Sequence, residues 1–141
     1  MNADKKILER RVLDRFREHY QDFPKGRIVQ SESPDFILET SPKYSIGIEL
    51  SALPTSSLII NNKSDLFDLV KEIHESVQKK DEKLPLYRKH KADEYWLLLY
   101  IDSLQDGPFN LYDRLPSTEI VNGYNRVFLF DIYDGKVFIL K

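Results

Sequence analysis

The sequence predicts a single α/β domain with a mixed central β-sheet flanked by helices. Three observations predict it. Segments with apolar residues at helical spacing alternate with short segments of strand character, the run 95–101 is apolar almost throughout, and no Pro- or Gly-rich linker divides the 141 residues. That length suits one domain able to bury a two- or three-layer core.

The first element is a helix over 5–20, where Leu8, Val12, Phe16 and Tyr20, with Leu13 beside them, recur at helical spacing behind a charged outer face. Phe23-Pro24-Lys25-Gly26 ends it, since Pro and Gly resist continuation. Three short strands follow over 27–30, 35–40 and 45–51, separated by Ser33-Pro34 and by Ser41-Pro42-Lys43, as an antiparallel meander requires. In the third, Ile46, Ile48 and Leu50 share one face, and Gly47, Glu49 and Ser51 share the other. A loop with Pro54 and the cap candidates Asn61 and Asn62 leads into a second helix over 65–83, whose stripe is Leu66, Leu69, Val70, Ile73 and Val77. The run 95–101, Tyr-Trp-Leu-Leu-Leu-Tyr-Ile, reads as a central strand buried on both faces. A short helix near 117–122, a strand over 127–130 and a hairpin turned by Asp134-Gly135 complete the order α-β-β-β-α-β-(α)-β-β.

Composition narrows the chemistry. No cysteine is present, which removes disulfides, Cys-zinc and iron–sulfur sites and thiol nucleophiles together. No apolar run approaches the roughly 18–20 residues that span a bilayer, and the start is charged rather than signal-like. A cytoplasmic protein with no membrane partner is the expectation. The net charge of −2 opposes general nucleic-acid affinity. It conceals a basic stretch over 79–91, in which Lys79, Lys80, Lys83, Arg88, Lys89 and Lys91 face only Asp81 and Glu82, and an acidic stretch over 93–141. Lys79, Lys83, Arg88, Lys89 and Lys91 are therefore candidate phosphate contacts. A solvated loop or a docking surface for an acidic protein explains the same charges.

Phosphodiester hydrolysis by a divalent cation needs two or three converging carboxylates and a positive group near the attacking water. Asp35 opens the second strand and Glu49 lies on the third, so adjacent antiparallel strands bring both to one end of a sheet, with the Leu50 carbonyl beside them. His19, His74 and His90 lack ligand spacing, the five glycines form no phosphate-cradling loop, and the aromatic residues of 95–100 read as core. Taken singly, each acid has a plain structural reading: Asp after Pro forms turns and Glu on a strand is solvated. Only their joint arrangement points to chemistry.

Ser33-Pro34-Asp35-Phe36 followed by Gly47-Ile48-Glu49-Leu50-Ser51, in the order α-β-β-β-α-β, resembles the restriction-endonuclease-like PD-(D/E)XK nuclease superfamily. The similarity covers roughly residues 5–102. It implies that Asp35 and Glu49 are ligands of Mg²⁺, or of Mn²⁺, and that a glutamate of the first helix joins them. Glu9 borders that helix's stripe and is the better placed; Glu18 lies away from it. Where the family has a lysine two residues after the acid, this chain has Ser51. Some branches carry the lysine on the following helix, and continuing the stripe through Val77 by three gives Lys80, with Lys83 as fallback. Lys80 near a helix C-terminus is also an ordinary complement to the macrodipole. The resemblance implies a metal-dependent nuclease acting on nucleic acid. The alternative is a domain that lost catalysis with the motif lysine and works as a protein- or nucleic-acid-binding module.

Overall fold

The apolar runs become the middle strands of one six-stranded sheet, and the two amphipathic helices cover its opposite faces. A computed structural model describes residues 2–88, 92–115 and 122–141. Its elements are α1 (Asn2–His19), β1 (Arg27–Gln30), β2 (Phe36–Ser41), β3 (Tyr44–Ala52), β4 (Ser57–Ile59), α2 (Lys63–Tyr87), β5 (Glu94–Ile101), β6 (Ser103–Gln105), α3 (Leu111–Arg114), β7 (Arg126–Asp131) and β8 (Lys136–Ile139). The sheet order is β1-β2-β3-β5-β7-β8. The meander β1-β2-β3 and the hairpin β7-β8 are antiparallel, whereas β3-β5 and β5-β7 are parallel, so the sheet is mixed as expected.

Strand alternation builds the two cores. Ile46, Ile48, Leu50, Trp96, Leu98, Phe128 and Phe130 meet α1 on one face. Leu97, Leu99, Ile101, Val127 and Leu129 meet α2 on the other. Strand β5 contributes to both, as its unbroken apolar run requires.

The α1 stripe is rotated slightly from its expected position. Val12, Leu13, Phe16 and Tyr20 are buried, but Leu8 is 51% exposed and Glu9 only 6%. The buried row runs Glu9, Leu13, Phe16, Tyr20, a spacing of four, three and four that puts a carboxyl where Leu8 was expected.

Asn62 caps α2, its side chain accepting from the Asp65 N–H at 2.9 Å. The helix starts two residues earlier than expected and runs four further, through Pro85. An interior proline costs about 3 kcal/mol. Here it lies in the last turn, and burying Leu84 before it and Tyr87 beyond it contributes about 1.5–3 kcal/mol for a Leu-sized side chain, which offsets the loss.

Strands β4 and β6 form a separate parallel pair that no periodicity announces, because three residues cannot show a period of two. Beside it Gly107 has φ +60°, and a Cβ there would lie 1.9 Å from the Ile60 carbonyl oxygen, so only glycine fits. The short helix expected over 117–122 lies outside the described residues except for Asn122, which is not helical. No helix among the described residues is long and apolar enough to cross a membrane.

Candidate active site

The register of β2 on β3 places the acids. Phe36 pairs with Ile48, so the preceding residue, Asp35, arrives beside Glu49. The Leu50 N–H donates to Asp35 Oδ2 at 2.8 Å, and the Asp35 N–H donates to Glu49 Oε1 at 3.2 Å. The two carboxyl groups also shift each other's titration. These contacts hold both side chains on the backbone of adjacent strands, a rigid mounting.

Two helices complete the cluster. Lys80 follows Ile73 and Val77 on the inward row of α2, and its Nζ lies 3.1 Å from Glu49 Oε2. Burial, and then Glu49 nearby, push the hydroxyl of Tyr87, seven residues later, up from its usual value. From the opposite face of the sheet, buried Glu9 reaches the same cavity wall as Asp35. Beside Glu9 and Asp35 opens a cavity of about 230 Å³ lined by Lys5, Lys6, Glu9, Ser31, Glu32 and Asp35.

The electrostatics follow from crowding acids in a partly dry place. Burial first, then the hydrogen bond and charge of Glu49, push the Asp35 carboxyl up to about 9. Burial acts on Glu49 in the same sense, but hydrogen bonds with Asp35 and Tyr87 and the Lys80 charge outweigh it and leave Glu49 below the usual carboxylate range. The pair thus shares one proton, held on the Asp35 side. Burial raises Glu9, against the opposing charge of Lys5.

No family model, curated protein or solved structure matches the chain.

The chemistry is therefore read from the residues. Among the described residues no group of three or more His, Asp or Glu side chains is arranged to hold a metal ion. The donors in hand are the Asp35–Glu49 pair, with Glu9 touching Asp35 from outside. An all-oxygen pair still fits Mg²⁺, which dehydrates reluctantly and is commonly held by one or two carboxylates while keeping several waters.

The other candidates are dispersed. Lys79 and Lys83 are exposed, and so is Arg88, whose Nη2 donates to the Gly123 carbonyl at 3.2 Å. Lys89 and Lys91 lie outside the described residues, as does His90. His19 and His74 are exposed. Ser51 is half-buried.

Sequence reasoning missed Tyr87, Lys5 and Lys6. The signal for Tyr87 was the continuation of the spacing 77, 80, 84, 87, which Pro85 masked by suggesting that the helix had ended. For Lys5 it was a position four residues before Glu9, one helical turn away. A third buried carboxyl, Asp131 at the end of β7, lies outside this site: its Oδ1 accepts from the Asp134 N–H at 3.3 Å, and its Oδ2 has no partner among the described residues.

Proposed function

We propose that the protein is a divalent-metal-dependent phosphodiesterase acting on nucleic acid, related in kind to the PD-(D/E)XK nucleases that its motif resembles. One observation carries the reading: Asp35 and Glu49, fourteen residues apart in sequence, are brought side by side, with the Asp35 N–H donating to Glu49 Oε1 at 3.2 Å and the Lys80 ammonium 3.1 Å from Glu49. Asp35 and Glu49 would hold Mg²⁺ or Mn²⁺, and the ion would supply Lewis acidity and charge neutralisation at the phosphate.

The chain's own groups do the rest. Asp35 gives up the shared proton so that both carboxylates can act as hard oxygen donors. Lys80 orients the attacking water and steadies negative charge growing on the phosphoryl oxygens. Lys5 and Lys6, on the cavity wall, hold a substrate phosphate, Lys6 leaving its 3.4 Å ion pair with Glu32 to do so. At about 230 Å³ the cavity falls below the roughly 300–1,000 Å³ of sites that enclose a whole drug-sized ligand, so a phosphate with its sugar edge suits it and a base does not.

Calorimetric titration with Mn²⁺ and Mg²⁺, run on wild type and Asp35→Asn beside cleavage of labelled oligonucleotides, tests the reading. Binding heat and cleavage in wild type that both vanish in Asp35→Asn are expected. Identical heats overturn it.

One observation favours a second reading, the inactive binding module. The Lys80–Glu49 ion pair and the proton shared with Asp35 satisfy the cluster internally, so it is a stable arrangement without turnover. Oligonucleotide or protein binding that survives in Asp35→Asn, with no cleavage by wild type, would select it.

A further inference from the structure

We propose that residues 122–124 splint the turn of α2 that carries Lys80, and that Tyr124 is the positioning residue of this splint, holding the Lys80 ammonium on Glu49 by way of the Lys80 backbone. The inference deepens the reading above, in which Lys80 is the cation of the site, and rests on it. It starts from Pro85. Lacking an N–H, this proline leaves the Asp81 carbonyl without the donor that the fourth residue on supplies in a helix, and its ring crowds that carbonyl. The α2 ladder is therefore interrupted in the turn directly after Lys80, and the helix holds that turn less firmly than an unbroken one.

Three contacts bridge the interruption from outside the helix. Before the proline, the Tyr124 hydroxyl donates to the Lys80 carbonyl at 3.1 Å, and the Gly123 N–H donates to Asp81 Oδ1 at 2.7 Å. After it, Arg88 Nη2 donates to the Gly123 carbonyl at 3.2 Å. The approach is close enough to need glycine: a Cβ at 123 would lie 2.8 Å from Leu84 Cδ2, and buried Leu84 has little room to give. A buried tyrosine hydroxyl needs a partner, and Tyr124, 1% exposed, has it in the Lys80 carbonyl.

The splint is itself anchored. The Tyr124 N–H donates to Asn122 Oδ1 at 2.9 Å, and Lys141 Nζ donates to the Asn122 carbonyl at 2.7 Å. Asn125 exchanges two bonds of 2.8 Å with Tyr95: its N–H donates to the Tyr95 carbonyl, and its Oδ1 accepts from the Tyr95 N–H. Tyr95 pairs with Gly47 in the sheet, so a path from β3 through β5, Asn125, Tyr124 and Lys80 returns to β3 at Glu49, 3.1 Å from the ammonium. Without such a closed path, a lysine on a flexible four-carbon stem loses rotamer freedom by pairing, and a small backbone shift frees it.

Lysine acetylation of the folded full chain, read residue by residue by mass spectrometry, tests the splint without ion or substrate. Lys79 and Lys83 are exposed neighbours on the same helix and serve as internal references. In wild type, Lys80 is expected to react more slowly than both. Tyr124→Phe is expected to speed Lys80 about fivefold, the effect of one net hydrogen bond on an equilibrium, and to leave Lys79 and Lys83 unchanged. Gly123→Ala, which pushes the splint off Leu84, is expected to shift Lys80 the same way. Phe16→Leu, in the core on the opposite face of the sheet, is expected to lower the Tm and leave Lys80 unchanged, separating lost positioning from lost stability. Three results overturn the proposal: Lys80 as reactive as Lys83 in wild type; no acceleration in folded Tyr124→Phe or, should that variant not fold, in Gly123→Ala; or equal acceleration in Phe16→Leu. In oligonucleotide cleavage, Tyr124→Phe is expected to lower kcat by a similar factor with KM unchanged, and an unchanged kcat overturns the positioning role. A wild type that cleaves nothing is a different result: it overturns the nuclease reading and leaves the labelling to decide the splint.

Discussion

Asp35 and Glu49 sit close enough to share a proton, and this makes cation binding a proton-releasing event. With Asp35 pushed up to about 9, the pair carries a proton at neutral pH that a divalent ion must displace. Calorimetry at pH 7 in two buffers of different ionisation enthalpy is expected to show close to one proton released per ion bound in wild type; no buffer dependence would contradict the shared proton. Asp131 makes a separate prediction. Burial raises this carboxyl from 3.8, against the hydrogen bond from the Asp134 N–H. A carboxyl whose folded pKa is raised contributes stability that is complete below about the unfolded value and lost as pH rises through the folded one. Relative to Asp131→Asn, wild type is therefore expected to be less stable at pH 8 than at pH 4, read from urea unfolding followed by Trp96 fluorescence. Residue chemistry was legible in the sequence to this extent: the candidate acids and Lys80 could be named from type and spacing. Their protonation could not, because it depends on distances between chain segments far apart in sequence.

At the scale of elements, α1 shows what periodicity resolves and what it leaves open. The spacing located the helix and four of its buried residues, but Leu8 and Glu9 are neighbours only 100° apart on the wheel, and only the sheet surface decides which turns inward. Phe16 is fully buried, with its ring 5.1 Å from Phe128 and 5.6 Å from Phe130. Phe16→Ala is expected to cost about 3–5 kcal/mol, whereas exposed Leu8→Ala stays within about 0.5 kcal/mol; equal losses in denaturant titration would show that the stripe is misassigned. In α2 the Asn62 cap is local chemistry and was visible in the sequence. The extension from 83 through Pro85 to Tyr87 was not, because the burial of Leu84 and Tyr87 that drives it depends on β5 and the segment around Tyr124.

Across the whole molecule, the net charge of −2 confines any phosphate contact to local clusters. Lys5 and Lys6 line the same cavity as Glu9 and Asp35, whereas Lys79 and Lys83 stand exposed away from its lining. Replacing both Lys5 and Lys6 by Ala is expected to raise KM for an oligonucleotide with little change in kcat. Each lysine lost from a phosphate contact should also reduce the slope of log Kd against log salt by roughly 1. An unchanged slope would place the phosphate contacts elsewhere.

The sequence by itself determined the kinds and order of the longer elements, most of their buried residues and the list of residues able to do chemistry, because periodicity, turn residues and side-chain type are properties of neighbours in the chain. The tertiary structure alone decided that Phe36 pairs with Ile48 and so sets Asp35 against Glu49, that Glu9 rather than Leu8 turns inward, and that Lys80 reaches the Glu49 carboxylate. It also decided the pairing of β4 with β6. Strand register, helix rotation and side-chain reach are settled by burial between segments that meet only on folding, and no local pattern encodes that balance.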